Sequence, residues 1–226
     1  VTAFPAIDDP ARLRAFILEA TAPARAPLVP EFELRLATEI TPIWETTEAE
    51  LQASGLPPPF WAFAWVGGQA LARFVLDRPE TARGRRVLSF ACGGGVEALA
   101  AARAGAAEVV VNDVDPVALA AAEVNAAANG LSVSPLPGDL LDEAPGGGFD
   151  LVLAGDVFYE RGVSERIADW LGGHARAGAT VLIGDPGRTF LPRDRLEALA
   201  AYDAPATRAL EDRDVMRTTV WRMGPA

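Results

Sequence analysis

From residue 85 onward the chain alternates short apolar runs with longer stretches of helical periodicity. The apolar runs span residues 87–91, 108–112, 131–137, 149–154 and 179–183, and the helical stretches span residues 96–104, 116–129, 163–175 and 193–202. Runs of this length predict buried strands, and apolar residues three and four apart predict helices. Strands and helices in steady alternation favour a parallel sheet with helices on both faces, which is an α/β fold.

The two ends of the chain follow a different pattern. Residues 214–223 alternate between apolar and polar positions, which predicts a half-buried antiparallel strand that pairs with residues 207–210. Near the start, residues 10–20 predict an amphipathic helix and residues 32–40 a strand. Consecutive prolines at positions 57–59 interrupt any helix. We therefore expect an N-terminal extension over residues 1–58 and one main domain over residues 59–226, which begins with an aromatic run and a helix through Leu71.

Composition excludes several kinds of chemistry. All 20 basic residues are arginine, which removes Schiff-base chemistry and the lysine of a phosphate-binding loop. The net charge of −11 opposes binding to nucleic acid, and one Cys with one His cannot supply four zinc ligands. His174 stands among glycines and is expected in an exposed turn. The absence of a long apolar run predicts no membrane span, and the single cysteine suits a reducing, cytoplasmic compartment.

The ends of the predicted strands carry the candidate chemistry. A glycine loop with Gly93 and Gly95 joins the first strand of the sheet to a helix, where free N–H groups can bind an anion. Asp113 ends the next strand and can accept two ribose hydroxyls, while Asp115 is expected to cap the following helix. Asp139 lies at the third strand's end, on the same edge. These residues predict a nucleoside cofactor, and the lack of the proton relay of a nicotinamide enzyme favours S-adenosylmethionine.

Three motifs in order along the chain make it recognisable. They are a Trp-rich run over residues 61–71 (WAFAWVGGQAL), a Gly-Asp-Val-Phe-Tyr element over 155–159 and a Leu-Ile-Gly-Asp-Pro-Gly-Arg element over 182–188. Over residues 30–223 the chain resembles the seven-strand protein lysine methyltransferases of family 16. Within that family it is most similar to the enzymes that modify the β subunit of electron transfer flavoprotein and to their bacterial relatives.

The resemblance implies a Rossmann-like, seven-stranded class I methyltransferase sheet with an antiparallel C-terminal hairpin. It also implies a metal-independent monomer that uses S-adenosylmethionine and takes a protein, electron transfer flavoprotein β, as its substrate. Asp156 and Tyr159 match the family's Asp-x-x-Tyr motif at the lysine channel and are the catalytic candidates. The cofactor would contact Trp65, Ala91, Gly93, Gly95, Asp113, Val114, Asp139, Leu140 and Ala154, and the substrate would contact Trp61, Phe158, Asp185 and Arg188.

The glycine loop departs from the family at two positions. The usual acidic residue is replaced by Ser89, so cofactor affinity is lower or another carboxylate substitutes, and the first glycine is replaced by Ala91, which is tolerated where φ stays negative. A ribosomal protein as the methyl acceptor and a non-catalytic module with the same fold remain alternatives. We expect Asp156→Ala and Tyr159→Ala to lower activity while leaving the fold intact.

Overall fold

The computed structural model describes residues 9–37, 58–145, 148–205 and 215–224. Its strands are β1 Ala22–Ala24, β2 Leu34–Leu36, β3 Arg86–Phe90, β4 Glu108–Asp113, β5 Ser134–Pro137, β6 Leu151–Gly155, β7 Thr180–Asp185, β8 Leu196–Pro205 and β9 Val215–Met223. Its helices are α1 Pro10–Ala20, α2 Val66–Asp77, α3 Val96–Arg103, α4 Pro116–Ala128 and α5 Arg161–Arg176. None of these helices, within the described ranges, is long and apolar enough to cross a membrane.

Seven strands form the main sheet, in the order β5-β4-β3-β6-β7-β9-β8. The pairs from β5 to β7 are parallel, and β9 runs antiparallel to both β7 and β8. The expected parallel sheet with an antiparallel C-terminal hairpin is therefore confirmed. All five parallel strands bring their carboxyl ends to one edge, and the order reverses between β3 and β6, where such sheets bind ligands.

Alternation of side chains along the strands builds two cores. Val87, Val111 and Leu153 point to the face covered by α2 and α3, whereas Leu88 and Val152 point to the face covered by α5. Because both faces are buried, the strands are apolar throughout, which explains the uninterrupted apolar runs in the sequence.

The N-terminal residues pack against the main sheet's helices. α1 begins at Pro10 because Asp9 caps it, accepting from the N–H groups of Ala11 and Arg12. Its apolar face meets α4 in a third cluster, and Phe32 lies in the main core with no exposed surface. The helix over residues 10–20 is confirmed; of the strand expected over 32–40, Leu34–Leu36 is extended and residues 38–40 lie outside the described ranges. The boundary near residue 58 stays a prediction.

One expectation about the second half of the chain is wrong. Residues 193–202 do not form a helix: a single 3-10 turn over Arg193–Arg195 leads into the strand β8. The alanine-rich sequence has a high helix propensity, but pairing with β9 along the whole strand outweighs it. The strand expected at 207–210 lies outside the described residues.

His174 is not in an exposed turn, because α5 continues through the glycines around it. It is 2% exposed, and its ring packs against Trp170 with 4.3 Å between centroids. Neither ring nitrogen has a hydrogen-bond partner in the described part of the chain, and burial lowers the pKa of the imidazole. His174 is therefore a neutral core residue and not a candidate catalytic base.

Candidate functional site

A cleft lies at the carboxyl edge of β3 and β6, with a volume of about 420 Å³ that includes the solvent-filled opening. Five of the residues named from the sequence line it together: Trp65, Ala91, Gly93, Gly95 and Asp156. The other lining residues are Leu34, Leu36, Phe63, Ala64, Gly68, Cys92, Gly94, Val96, Glu97, Asn125 and Gly155. The N-terminal segment thus forms one wall of the cleft and the sheet edge the other.

The glycine loop forms the floor of the cleft. Gly93 and Gly95 have φ angles of +50° and +78°, which glycine adopts at no steric cost. A Cβ on Gly94 would come within 2.8 Å of the Trp61 carbonyl oxygen, because that backbone crosses the loop. Ala91 also has a positive φ of +50°, so the expectation that its φ stays negative is wrong. The loop holds an alanine in a strained conformation that the glycine of the family would relieve.

Asp113 ends β4 beside the loop, as predicted. Its Oδ2 accepts from the Gly93 N–H at 3.0 Å and its Oδ1 from the Asp115 N–H at 3.0 Å. Burial raises the pKa of this carboxyl, and the backbone hydrogen bonds lower it. Each oxygen keeps a second lone pair, so the group can still accept the hydroxyls of a ribose. Asp115 caps α4 through the Val117 N–H at 2.8 Å, which confirms its expected role.

Asp156 follows β6 and is held on three sides. Its Oδ2 accepts from the N–H groups of Gly67 and Gly68, at 2.6 and 3.2 Å, and its Oδ1 accepts from the Arg188 guanidinium at 2.8 Å. The residue is 7% exposed and has a φ of +58°. Burial raises its pKa to about 6, while the ion pair with Arg188 lowers it. The carboxylate therefore fastens the N-terminus of α2 to the sheet, and its removal would disturb the fold.

Glycines permit this close approach of α2 to the sheet. A Cβ on Gly67 would lie 2.2 Å from the Gly184 carbonyl oxygen and 2.4 Å from Asp156 Oδ2. A Cβ on Gly155 would lie 2.8 Å from the Gly68 nitrogen. The Gly-Gly pair of the Trp-rich motif and the glycines that precede Asp156 and Asp185 are thus parts of one contact, although they are far apart in sequence.

Asp185 and Arg188 belong to the same arrangement. Asp185 is 1% exposed, and its Oδ1 accepts from the N–H groups of Gly187 and Arg188 at 2.6 and 2.7 Å. These bonds close the turn that aims Arg188 at Asp156. The guanidinium also lies 5.8 Å from the centroid of the Trp65 ring. The geometry gives Asp185 a positioning role and leaves substrate contact by either residue as a prediction.

A group of aromatic rings lies next to Arg188, the partner of Asp156. Phe60 packs edge-on against both Trp65 and Tyr159, with 5.9 Å between centroids in each pair. Phe60 and Tyr159 are 46% and 55% exposed, so their faces are open to solvent. Burial and nearby carboxylates raise the pKa of the Tyr159 hydroxyl, which stays protonated near neutral pH. Such rings attract a cationic side chain and can also strip water from it.

Several predicted site residues do not face the cleft in this structure. Trp61 is 3% exposed and packs against Phe16 of α1, with 6.1 Å between ring centroids. Leu140, Ala154 and Phe158 are 4%, 0% and 0% exposed and fill the core beneath the sheet. Phe158 therefore does not form a wall of a lysine channel: in the segment after β6 its side chain is buried, whereas that of its neighbour Tyr159 is exposed.

Two further predicted residues are solvent-exposed. Val114 is 71% exposed, and Asp139 is an exposed carboxylate whose Oδ1 accepts from the Leu141 N–H at 2.9 Å. Both lie at the correct edge of the sheet, but neither lines the cleft. Their contact with an adenine stays a prediction.

The sequence reasoning missed Glu97 and Asn125. The Glu97 carboxyl lies in the cleft wall and accepts from the Ser89 hydroxyl at 2.7 Å. Asn125 of α4 donates to the Gly94 carbonyl at 2.9 Å and accepts from the Arg35 N–H at 2.7 Å, which ties the loop to β2. For Glu97 the available signal was a carboxyl directly after the glycine loop, and for Asn125 it was a polar residue in an otherwise apolar stretch of α4.

No group of His, Cys, Asp or Glu within the four described ranges is arranged to hold a metal ion. The residues present suit S-adenosylmethionine: the helix α3 begins directly after the glycine loop, and Asp113 offers acceptors beside it.

Solved structures with a similar fold include a ribosomal protein L11 methylase from Lactobacillus delbrueckii subsp. bulgaricus, at a TM-score of 0.50 and 20% identity over 72% of this chain and 81% of the other. A Thermoplasma acidophilum protein superposes at a TM-score of 0.53, with 18% identity over 69% of this chain and 89% of the other. The sequence profile of the ribosomal protein L11 methyltransferase (PrmA) family matches residues 70–155. Fold, glycine loop and profile together define a class I methyltransferase that uses S-adenosylmethionine.

Sequence comparison then gives the family. The electron transfer flavoprotein beta subunit lysine methyltransferase of Xenopus laevis is 38% identical over 94% of this chain and 87% of its own length. The Danio rerio protein of the same name is 39% identical over 86% and 76%, and the human one 34% over 96% and 84%. The chain belongs to the family of the electron transfer flavoprotein β-subunit lysine methyltransferases, as its three motifs predicted.

Proposed function

We propose that this protein transfers a methyl group from S-adenosylmethionine to lysine side chains of the electron transfer flavoprotein β subunit. The observation that carries the proposal is the likeness to relatives of that name over nearly the whole chain. The cleft supports it, because a cofactor loop and an exposed aromatic mouth meet beside Asp156.

The cofactor, when bound, supplies a methyl group on a positively charged sulfur, so the protein must present a neutral amine to it. A lysine with a pKa near 10.4 is mostly protonated at pH 7.4, and the neutral form costs about 4 kcal/mol. Phe60, Trp65 and Tyr159 surround the approach with apolar surface, and transfer from water into such surroundings lowers the pKa of an amine.

We assign Asp156 to positioning rather than to proton abstraction. Its oxygens already accept from Gly67, Gly68 and Arg188, so it holds the α2 end, with Trp65, and the Arg188 guanidinium in place. The positive Arg188 also disfavours an ammonium at the mouth, which favours the neutral amine. Tyr159 is the exposed group that can hydrogen-bond the entering nitrogen.

The test is a methylation assay with S-adenosylmethionine labelled in the methyl group and purified electron transfer flavoprotein, followed by mass spectrometry of the β subunit. We expect label on lysine with the wild type and a fall of about tenfold or more with Tyr159→Phe. Leu18→Ala, an exposed apolar side chain on α1 outside the cleft lining, serves as the control and should retain activity. Label that is absent from every β-subunit lysine would refute the proposal.

A ribosomal protein substrate is the second candidate. The PrmA profile match and a Pseudomonas aeruginosa ribosomal protein L11 methyltransferase, 33% identical over 62% of this chain and 42% of the relative, support it. Competition between electron transfer flavoprotein and ribosomal protein L11 in one reaction separates the two, since the true substrate is consumed first. A non-catalytic module is distinguished by calorimetry, because it would not bind S-adenosylhomocysteine.

We further propose that the protein acts as a cytoplasmic monomer on a protein, and neither on nucleic acid nor at a membrane. The net charge of −11 supports a protein substrate, because it repels phosphate backbones. The single cysteine is buried at 5% exposure, which is compatible with a reducing compartment. Light scattering at working concentration tests the monomer, and a mass twice that of the chain would refute it.

A further inference from the structure

The cleft contains a buried carboxyl group that the proposed chemistry has not used. Glu97 lies in the first turn of α3, immediately after the glycine loop, and is 3% exposed. A carboxylate so placed is costly to bury unless it is paired or hydrogen-bonded. Its Oε1 accepts from the Ser89 hydroxyl at 2.7 Å, an uncharged donor from the neighbouring strand β3.

Gly68 of α2 lies against this carboxyl. A Cβ on Gly68 would come within 3.1 Å of Glu97 Oε2, so a larger residue there would crowd that oxygen. Both residues line the cleft. The other buried carboxylate in the lining, Asp156, is already occupied by two backbone N–H groups and by Arg188. Among the described residues, Glu97 is thus the carboxyl of the lining whose hydrogen-bond partner, Ser89, is uncharged.

The electrostatics of the cleft favour a bound cation. The groups that act on Glu97 are the Ser89 hydroxyl and its own backbone N–H, which stabilise the anion, and the carboxylates Asp156 and Asp113, which repel it. Burial and this repulsion raise the pKa of Glu97 to about 7. Burial, with Asp113 and Glu97 nearby, likewise raises the pKa of the Cys92 thiol. A positive charge near Oε2 would offset the repulsion and hold Glu97 ionised.

S-adenosylmethionine carries such a charge at a suitable place, since its methionine end is a zwitterion. The α-carboxylate suits the N-terminus of α3, next to Gly95, because a helix N-terminus favours an anion. The α-ammonium then needs an acceptor within a few ångströms, and it is Glu97 that lies in that first turn. We propose that Glu97 binds the ammonium group of the cofactor's methionine moiety, with Ser89 positioning it. This inference rests on the proposed use of S-adenosylmethionine.

Calorimetry with two ligands tests the assignment. One ligand is S-adenosylhomocysteine, and the other is the same molecule without its α-amino group. We expect Glu97→Gln to weaken binding of S-adenosylhomocysteine about tenfold or more, the value of a charge-assisted hydrogen bond, and to change binding of the deaminated ligand less than about twofold. Equal losses for both ligands, or no loss for either, would overturn the assignment.

Matched serine variants test the positioning role. Ser89→Ala should weaken S-adenosylhomocysteine binding by a smaller factor than Glu97→Gln and should again spare the deaminated ligand. Ser164→Ala is the control, because Ser164 is also buried but donates at 2.6 Å within α5, to the Glu160 carbonyl. Loss of affinity in Ser164→Ala equal to that in Ser89→Ala would refute a specific role for Ser89.

A measurement on the wild type keeps the inference testable if Glu97→Gln does not fold. At pH 7 Glu97 is partly protonated, so binding of the ammonium should release protons, which calorimetry in buffers of different ionisation enthalpy detects. The deaminated ligand should release fewer. Equal proton release by both would refute the role of Glu97, whereas failure of the wild type to bind S-adenosylhomocysteine would refute the proposed function itself.

Discussion

Replacing Asp156 tests whether this carboxylate is a structural tie as well as part of the site. Asp156→Ala removes the acceptor for the Gly67 and Gly68 N–H groups and the partner of Arg188, all within a site that is 7% exposed. The earlier expectation that this change leaves the fold intact is therefore inconsistent with the structure. The variant should unfold more easily, because buried donors lose their acceptor and one charge is left unpaired.

The expected magnitude follows from these contacts. Breaking a buried ion pair by removing one partner costs about 3–5 kcal/mol, and this figure already includes the group left unpaired. The φ of +58° adds strain in Ala that Asn tolerates better. For a domain of this size, about 3–5 kcal/mol corresponds to a fall in Tm of roughly 6–20 °C. Asp156→Asn keeps one acceptor oxygen and should lose less.

Thermal and urea unfolding of wild type, Asp156→Ala and Asp156→Asn provide the assay, with Tyr159→Phe as the control. Tyr159 is 55% exposed, so its loss of a hydroxyl should change the free energy of unfolding by less than about 0.5 kcal/mol. A loss below about 1 kcal/mol in Asp156→Ala would refute the reasoning, since it would mean that water satisfies the α2 N-terminus without the carboxylate.

Three further changes test other parts of the fold. In urea unfolding, Gly67→Ala should destabilise the protein by about 1–3 kcal/mol or more, since its Cβ would lie 2.2 Å from the Gly184 carbonyl oxygen. The control Gly162→Ala, which has open space in the first turn of α5, should be neutral or stabilising. Ala91→Gly should raise the free energy of unfolding by about 0.5–1 kcal/mol, because it relieves a φ of +50°; a loss would contradict the strained loop. Burial lowers the folded-state pKa of His174, so the contribution of the neutral imidazole to the free energy of unfolding is full above about pH 6.5 and is lost as the pH falls. In pH-dependent unfolding, the stability of His174→Leu relative to wild type should therefore rise on acidification. A constant difference would argue against a buried neutral imidazole.

The sequence alone determined the periodic part of the fold. Strands buried on both faces must be apolar throughout. The start of the helix Pro116–Ala128 is predicted by the capping residue Asp115 and the proline that follows it. The glycine loop and Asp113 were also readable, because parallel strands deliver their carboxyl ends to one edge. The three ordered motifs led to the correct family because each one is a contiguous stretch of sequence.

Only the tertiary structure decided which side chains share the cleft. β8 became a strand because it pairs with β9, and Phe158 turned inward where Tyr159 turned outward, although neither outcome is visible in local propensity. The bond between Ser89 and Glu97 joins residues on two elements, and Asp156 is tied to a helix about ninety positions away. Contacts between elements depend on packing and on where two backbones approach closely. Glycines such as Gly67 permit that approach, but the sequence does not show which backbone they contact.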